Sequence, residues 1–182
     1  MFATKKLCIL FILIGLTCLT RGSHFLTEFN IPDASLIVFF LVGYYLPSIM
    51  IFLIFFLLGS YIDFGNAALD ISSNFSLNNG YWGLIPSYLV MVLAGIILKR
   101  TDIHKSLNLS ILLIFIATTM AYIISTNTYY MFSGLYGSPK LIVTILQGWE
   151  YFPSFIIPNL VYGLIFCLLL KLRLNNISLK VT

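Results

Sequence analysis

Apolar residues in this chain come in long unbroken runs rather than in alternation, and the runs are separated by short polar or charged stretches. Five are clear: Leu7 to Thr20, Ala34 to Ile62, Trp82 to Leu98, Leu107 to Ile124 and Phe155 to Leu170. A helix rises about 1.5 Å per residue and a bilayer's hydrocarbon core is about 30 Å thick, so about 20 residues make one crossing. Four runs suit one helix each. The second, at 29 residues, is too long for one upright span and somewhat short for two with a turn, and Pro47 lies near its middle.

Positive charge decides between the two, because splitting the run flips the side of every later loop. With a turn at Pro47 and a cytoplasmic N-terminus, Lys5, Lys6, Lys99, Arg100, Lys105, Lys171, Arg173 and Lys180 all fall inside, eight of the ten basic residues, leaving Arg21 and Lys140 outside. Glu28, Asp33, Asp63, Asp70 and Glu150 then lie outside, and only Asp102 inside. A single long span leaves three basic residues inside, or seven if the orientation is reversed. The sequence therefore predicts an all-α integral membrane protein of six transmembrane helices, about 7–20, 34–46, 48–62, 82–98, 107–124 and 155–170, with both termini cytoplasmic. Residues 1–182 form one transmembrane domain, placed in the cell (inner) membrane as a multi-pass protein, since no fixed-period repeat divides them.

Composition agrees: 60% of the 182 residues are hydrophobic and 9% charged, against about 25% charged in a soluble domain. The net charge of +4 carries no nucleic-acid signal, because no basic run exceeds two residues. Lys5 and Lys6 ahead of an apolar run also resemble a signal peptide, but Leu19-Thr20-Arg21-Gly22 lacks the small-x-small cleavage pattern, and an uncleaved helix is expected. Cys8, Cys18 and Cys167 sit inside apolar runs without close pairing and read as small apolar fillers.

Chemistry is confined to the outer segments 21–33, 63–81 and 125–154. No P-loop, HExxH, GxSxG or close pair of intramembrane aspartates occurs, so ATP hydrolysis by the P-loop route and the commonest membrane hydrolases are not indicated. One cluster is Arg21, His24 and Phe25 with Pro32, Asp33, Ala34 and Ser35, where Asp33 or Ser35 caps the following helix and His24 is free to bind a metal or simply meet water. A second runs from Asp63 through Asn66, Asp70 and the Ser72 to Gly80 tract to Tyr81, Trp82, Pro86, Ser87 and Tyr88, without a Lys or Arg. Neutral donors and acceptors beside aromatic faces suit a large amide-bearing ligand, while the same aromatics read equally as an interfacial belt. Asp63 closes an apolar stretch, where an acid calls for a partner, a ligand or access to water.

Taken together, Arg21-Gly22-Ser23-His24-Phe25, Pro32-Asp33-Ala34-Ser35, Phe39-Phe40, Gly43-Tyr44-Tyr45-Leu46, Asp63 and the Tyr81-Trp82 to Tyr88 stretch resemble the BtuM family of cobalamin transporters, which is related to the S-components of energy-coupling factor (ECF) transporters. The likeness covers roughly residues 20–90, with the Pro-Asp-Ala-Ser segment its most specific part. It implies a six-helix S-component-like fold, a corrinoid held at the outer face, and pocket positions at His24, Asp63 and Tyr81, with Ser76, Trp82 and Tyr88 beside them as substrate-binding candidates. Where such proteins carry a cysteine ligand for cobalt this chain has Ser76, a far poorer ligand. The resemblance therefore leaves thiolate-assisted removal of an upper cobalt ligand without its thiolate, and His24 becomes the candidate cobalt ligand. The expected function is capture of cobalamin or a related corrinoid outside and its passage inward, alone or with an ECF energising module. The protein has no cofactor of its own and no enzymatic activity on this reading. The alternatives are an S-component for another small vitamin and a non-transporting membrane assembly protein.

Overall fold

A computed structural model describes residues 2–21, 31–68, 79–134, 143 and 148–178. Every regular element among them is helical. Six α-helices follow in order: α1 (Phe2–Arg21), α2 (Ser35–Tyr45), α3 (Ile49–Ala68), α4 (Leu84–Arg100), α5 (Leu107–Phe132) and α6 (Phe152–Ser178). Short 3₁₀ turns at Asn79–Gly83, Asp102–Lys105 and Trp149–Tyr151 lead into the last three.

The long second run is divided as its proline demands. A residue before proline is pushed out of the helical region, and Leu46 accordingly ends α2 at φ −133°, ψ 51° while its N–H still bonds Val42 O at 2.8 Å. The chain reverses over Pro47 and Ser48, and Ser48 O accepts the Phe52 N–H at 3.0 Å to start α3.

Four segments are long and apolar enough to cross a membrane: Ile49–Ala68, Asn79–Arg100, Leu107–Phe132 and Trp149–Leu172. Their outward faces carry Leu53, Leu57, Leu93, Ile97, Ile116, Met120, Leu168 and Leu169, all well exposed. A continuous apolar exterior of this kind is stable against lipid and not against water. The protein is a multi-pass membrane protein.

Two expectations need correction. The span at 34–46 is an 11-residue helix that rises only about 17 Å, too short to cross by itself. And three other helices overrun their expected ends on the side taken as external: α3 continues from 62 to Ala68, α5 from 124 to Phe132, and α6 begins at Phe152. Polar residues stay helical there because they bond their own backbone: Thr128 Oγ1 donates to Ile124 O at 2.7 Å and Ser125 Oγ to Tyr122 O at 3.1 Å. A hydropathy threshold reads such residues as loop.

The short helix is the centre of the molecule. Ser35 through Phe40, Val42 and Gly43 are all buried, so α2 is covered on every side, which explains why its sequence is apolar all round. Its closest neighbour is α4, and two glycines allow the approach. A Cβ at Gly43 would lie 2.0 Å from Val92 O, and one at Gly95 2.0 Å from Phe40 O. Small residues at crossing points serve in membranes, where close backbone packing replaces the hydrophobic drive.

The N-terminus of α2 is buried too, and its unpaired N–H groups find partners from other segments. Asp33 Oδ1 accepts from Ser35 N at 2.9 Å, but the N-cap position itself falls to Ala34 rather than to the expected Asp33 or Ser35. Asn159 Oδ1, from α6, accepts from Ile37 N at 3.3 Å, and Thr20 Oγ1, from α1, from Ala34 N at 3.3 Å. Tyr162 of α6 donates to Pro32 O at 3.0 Å.

Candidate functional site

The ends of α1 and α3 meet the beginnings of α2 and α4 at one end of the bundle, and the residue that joins them is Arg21, the last of α1. Its side chain is 10% exposed. A guanidinium inside an apolar bundle must be paired and hydrogen-bonded. Arg21 Nε donates to Asp63 Oδ1 at 2.7 Å and Nη2 to Asp63 Oδ2 at 2.5 Å, a bidentate pair between α1 and α3. Nη1 donates to Ser35 Oγ at 2.8 Å and to the Tyr88 hydroxyl at 2.6 Å, reaching α2 and α4.

The partners are themselves committed. Ser35 Oγ accepts from Arg21 and donates to Asp33 Oδ1 at 2.6 Å, so one hydroxyl links the guanidinium to a second carboxylate. The Tyr81 hydroxyl lies 3.0 Å from Asp63 Oδ2 and 3.1 Å from Ser60 Oγ, while its ring rests against Phe56 and Phe64. Tyr88 is 4% exposed and its ring stacks on Phe39 with centroids 4.1 Å apart. Asn66, buried on α3, donates to the terminal carbonyl of α1 at Arg21 at 3.5 Å. Gly59 of α3 lies beside the guanidinium, where a Cβ would stand 3.4 Å from Arg21 Cζ, in ordinary contact.

One guanidinium against Asp33 and Asp63 leaves the cluster one formal negative charge in excess, and the excess lies on the Asp33 side, which is exposed. As it stands the arrangement fixes helices and offers hydrogen bonds. Among the described residues no three His, Cys, Asp or Glu side chains gather for a metal.

Of the six expected site residues, Asp63, Tyr81 and Tyr88 are brought together here. Trp82 is not among them: it is 67% exposed on the Asn79–Gly83 turn, the position of a belt residue. His24 and Ser76 lie outside the described residues. Arg21, Ser35, Ser60 and Asn66 are part of the network without having been assigned a site role from sequence, although one signal was available. A lone basic residue and a lone acid, each closing an apolar run on the same side, are a pair waiting to be joined.

The same end holds a small cavity of about 110 Å³ between α5 and the start of α6, lined by Thr119, Tyr122, Ile123, Thr126, Asn127, Trp149 and Phe152. It is well below the about 300–1,000 Å³ of usual small-molecule sites. Tyr122 donates to Gly148 O beside it, and Trp149 stacks on Phe152.

Against known proteins, the chain matches no family model and no curated sequence.

Proposed function

We propose that this protein is a membrane transporter that captures cobalamin or a related corrinoid at its outer face and passes it to the cytoplasm, with both chain termini on the cytoplasmic side. The single observation that carries a solute-handling reading is the buried Arg21 network at one end of an otherwise apolar bundle, because ionisable groups inside a membrane are costly and mark solute pathways. The corrinoid class comes from the resemblance to BtuM-type transporters in residues 20–90. On this reading the ligand is held at the outer end of the bundle, where the Arg21 cluster lies. His24 is the nitrogen donor to cobalt, and Asp63 and Tyr81 support the floor of the cup. The energy comes from an ECF-type partner module, or the protein works alone.

The experiment is the visible absorption spectrum of detergent-purified protein incubated with cobalamin and passed over gel filtration. A corrin band co-eluting with the protein is expected, and His24→Ala should shift it. A colourless protein at saturating cobalamin would overturn the corrinoid assignment. The second reading, a membrane assembly protein, draws on the closure of the network, in which Asp63 already accepts from Arg21 twice and from Tyr81. It calls for no bound solute, and a partner protein would co-purify instead.

A further inference from the structure

The six helices do not pack with equal intimacy. Helices α2, α4, α5 and α6 interlock at close range: α2 on α4 through Gly43 and Gly95, the turn before α4 on α5 where a Cβ at Gly83 would lie 2.4 Å from Thr128 Cβ, and α6 on α5 and α2 where Gly163 faces Ile114 and Ile37. Helices α1 and α3 are different. Helix α3 is buried to the same extent as α6, but it meets the rest through rings rather than through close backbone approach: Phe52 and Phe55 against Phe39, Phe56 against Tyr88 and Tyr81. Along α1 the buried residues are Leu13, Thr17 and Thr20.

Polar bonds are distributed to match. The Arg21–Asp63 ion pair and the Asn66 bond to Arg21 O belong to the α1–α3 pair itself. Bonds from Arg21 to Ser35 and Tyr88, from Ala34 N to Thr20, and from Tyr81 to Ser60 and Asp63 cross from that pair to the four-helix body, and these lie together at one end. In lipid there is no hydrophobic penalty for parting two apolar helix faces, since acyl chains solvate them as well as a neighbouring helix does. What keeps α3 against the body is therefore ring packing, on Phe39 of α2 and Tyr88 of α4, and this clasp at its end.

We infer that α1 and α3 form a movable pair fastened to a rigid α2–α4–α5–α6 body by the Arg21 clasp, and that the α3–α4 seam opens at the cluster end when the clasp is released. The seam is lined by Phe56, Ser60 and Tyr81, so opening it would uncover an aromatic surface with hydroxyls. The inference concerns the helices alone and stands whatever solute the protein handles.

Distances between spin labels test it. In a background with the three native cysteines replaced, labels at Tyr61 on α3 and Leu93 on α4, both exposed, span the seam; labels at Leu93 and Ile116 on α5, also exposed, span the body. The comparison is between the native clasp and Arg21→Gln with Asp63→Asn, which removes both charges together and strands neither. The expected result in lipid nanodiscs is an added, longer population for the α3–α4 pair and an unchanged distance for α4–α5. An unchanged α3–α4 distance would overturn the inference. So would equal broadening of both distances, or aggregation of the double variant and of Asp63→Asn alone, since either would make the network a support of the whole bundle.

Discussion

Two seams meet at Phe39 and its neighbours, and they are built on opposite terms. Between α2 and α4 the contact is backbone against backbone at Gly43 and Gly95, with the Phe39–Tyr88 stack beside it. Between α3 and the body the contact runs through rings, Phe52 and Phe55 on Phe39 and Phe56 on Tyr88, and through hydrogen bonds at Asp63 and Ser60. A backbone seam is bistable in no useful way: it fits or it fails. A ring-and-hydroxyl seam has other rotamers and other partners available, at a cost of about 1 kcal/mol for each contact exchanged.

Substitutions can break that contrast or sharpen it. Gly43→Val drives a branched side chain into the Val92 carbonyl, which belongs to helix backbone and cannot give way. A loss of about 3 kcal/mol or more is expected, read as the disappearance of monodisperse protein in gel filtration, and normal recovery would mean that the two helices are not locked together. Tyr81→Phe acts on the other seam. It keeps the ring against Phe56 and Phe64 and removes the hydroxyl that reaches Ser60 and Asp63, so a drop of about 1 kcal/mol in a thermal-shift assay is expected without loss of the folded protein. A loss as severe as that of Gly43→Val would erase the distinction between the seams. Asp102→Asn touches neither. Lys105 at 2.7 Å holds the Asp102 carboxyl below its ordinary range, so whatever the pair contributes is present at neutral pH and fades only as pH falls through that lowered value. Both side chains are highly exposed, and the melting temperature at neutral pH should not move measurably.

Much of this architecture is legible in the residues. Pro47 divides the 29-residue run where the charge count requires a reversal, and Asp33 binds the first N–H of α2 from one position ahead of the N-cap. What hydropathy misreads is length. Runs read from hydropathy end at charges, prolines or polar clusters, yet Thr128 and Ser125 satisfy themselves on their own helix and Asp63 is paired with a residue 42 positions earlier. The centrality of α2 is equally hidden, because a helix that is apolar on every side reads the same whether lipid or protein surrounds it. The site was half visible. Asp63, Tyr81 and Tyr88 stand out as polar or aromatic residues beside apolar runs, but the pairing of Arg21 with Asp63 and Tyr88 emerges only from matching charges across helices.

The burial of α2 also bears on how the chain is made. At 11 residues it is too short to settle across a bilayer alone, and it reaches the membrane with α3 as a hairpin around Pro47. The helix that receives its backbone, α4, follows it in the chain, and the side chain that satisfies the Ile37 N–H, Asn159, stands 122 positions later on α6. Without α6, the N-terminus of α2 keeps an open donor in a medium with few acceptors. An early helix thus owes the satisfaction of its own backbone to a late one.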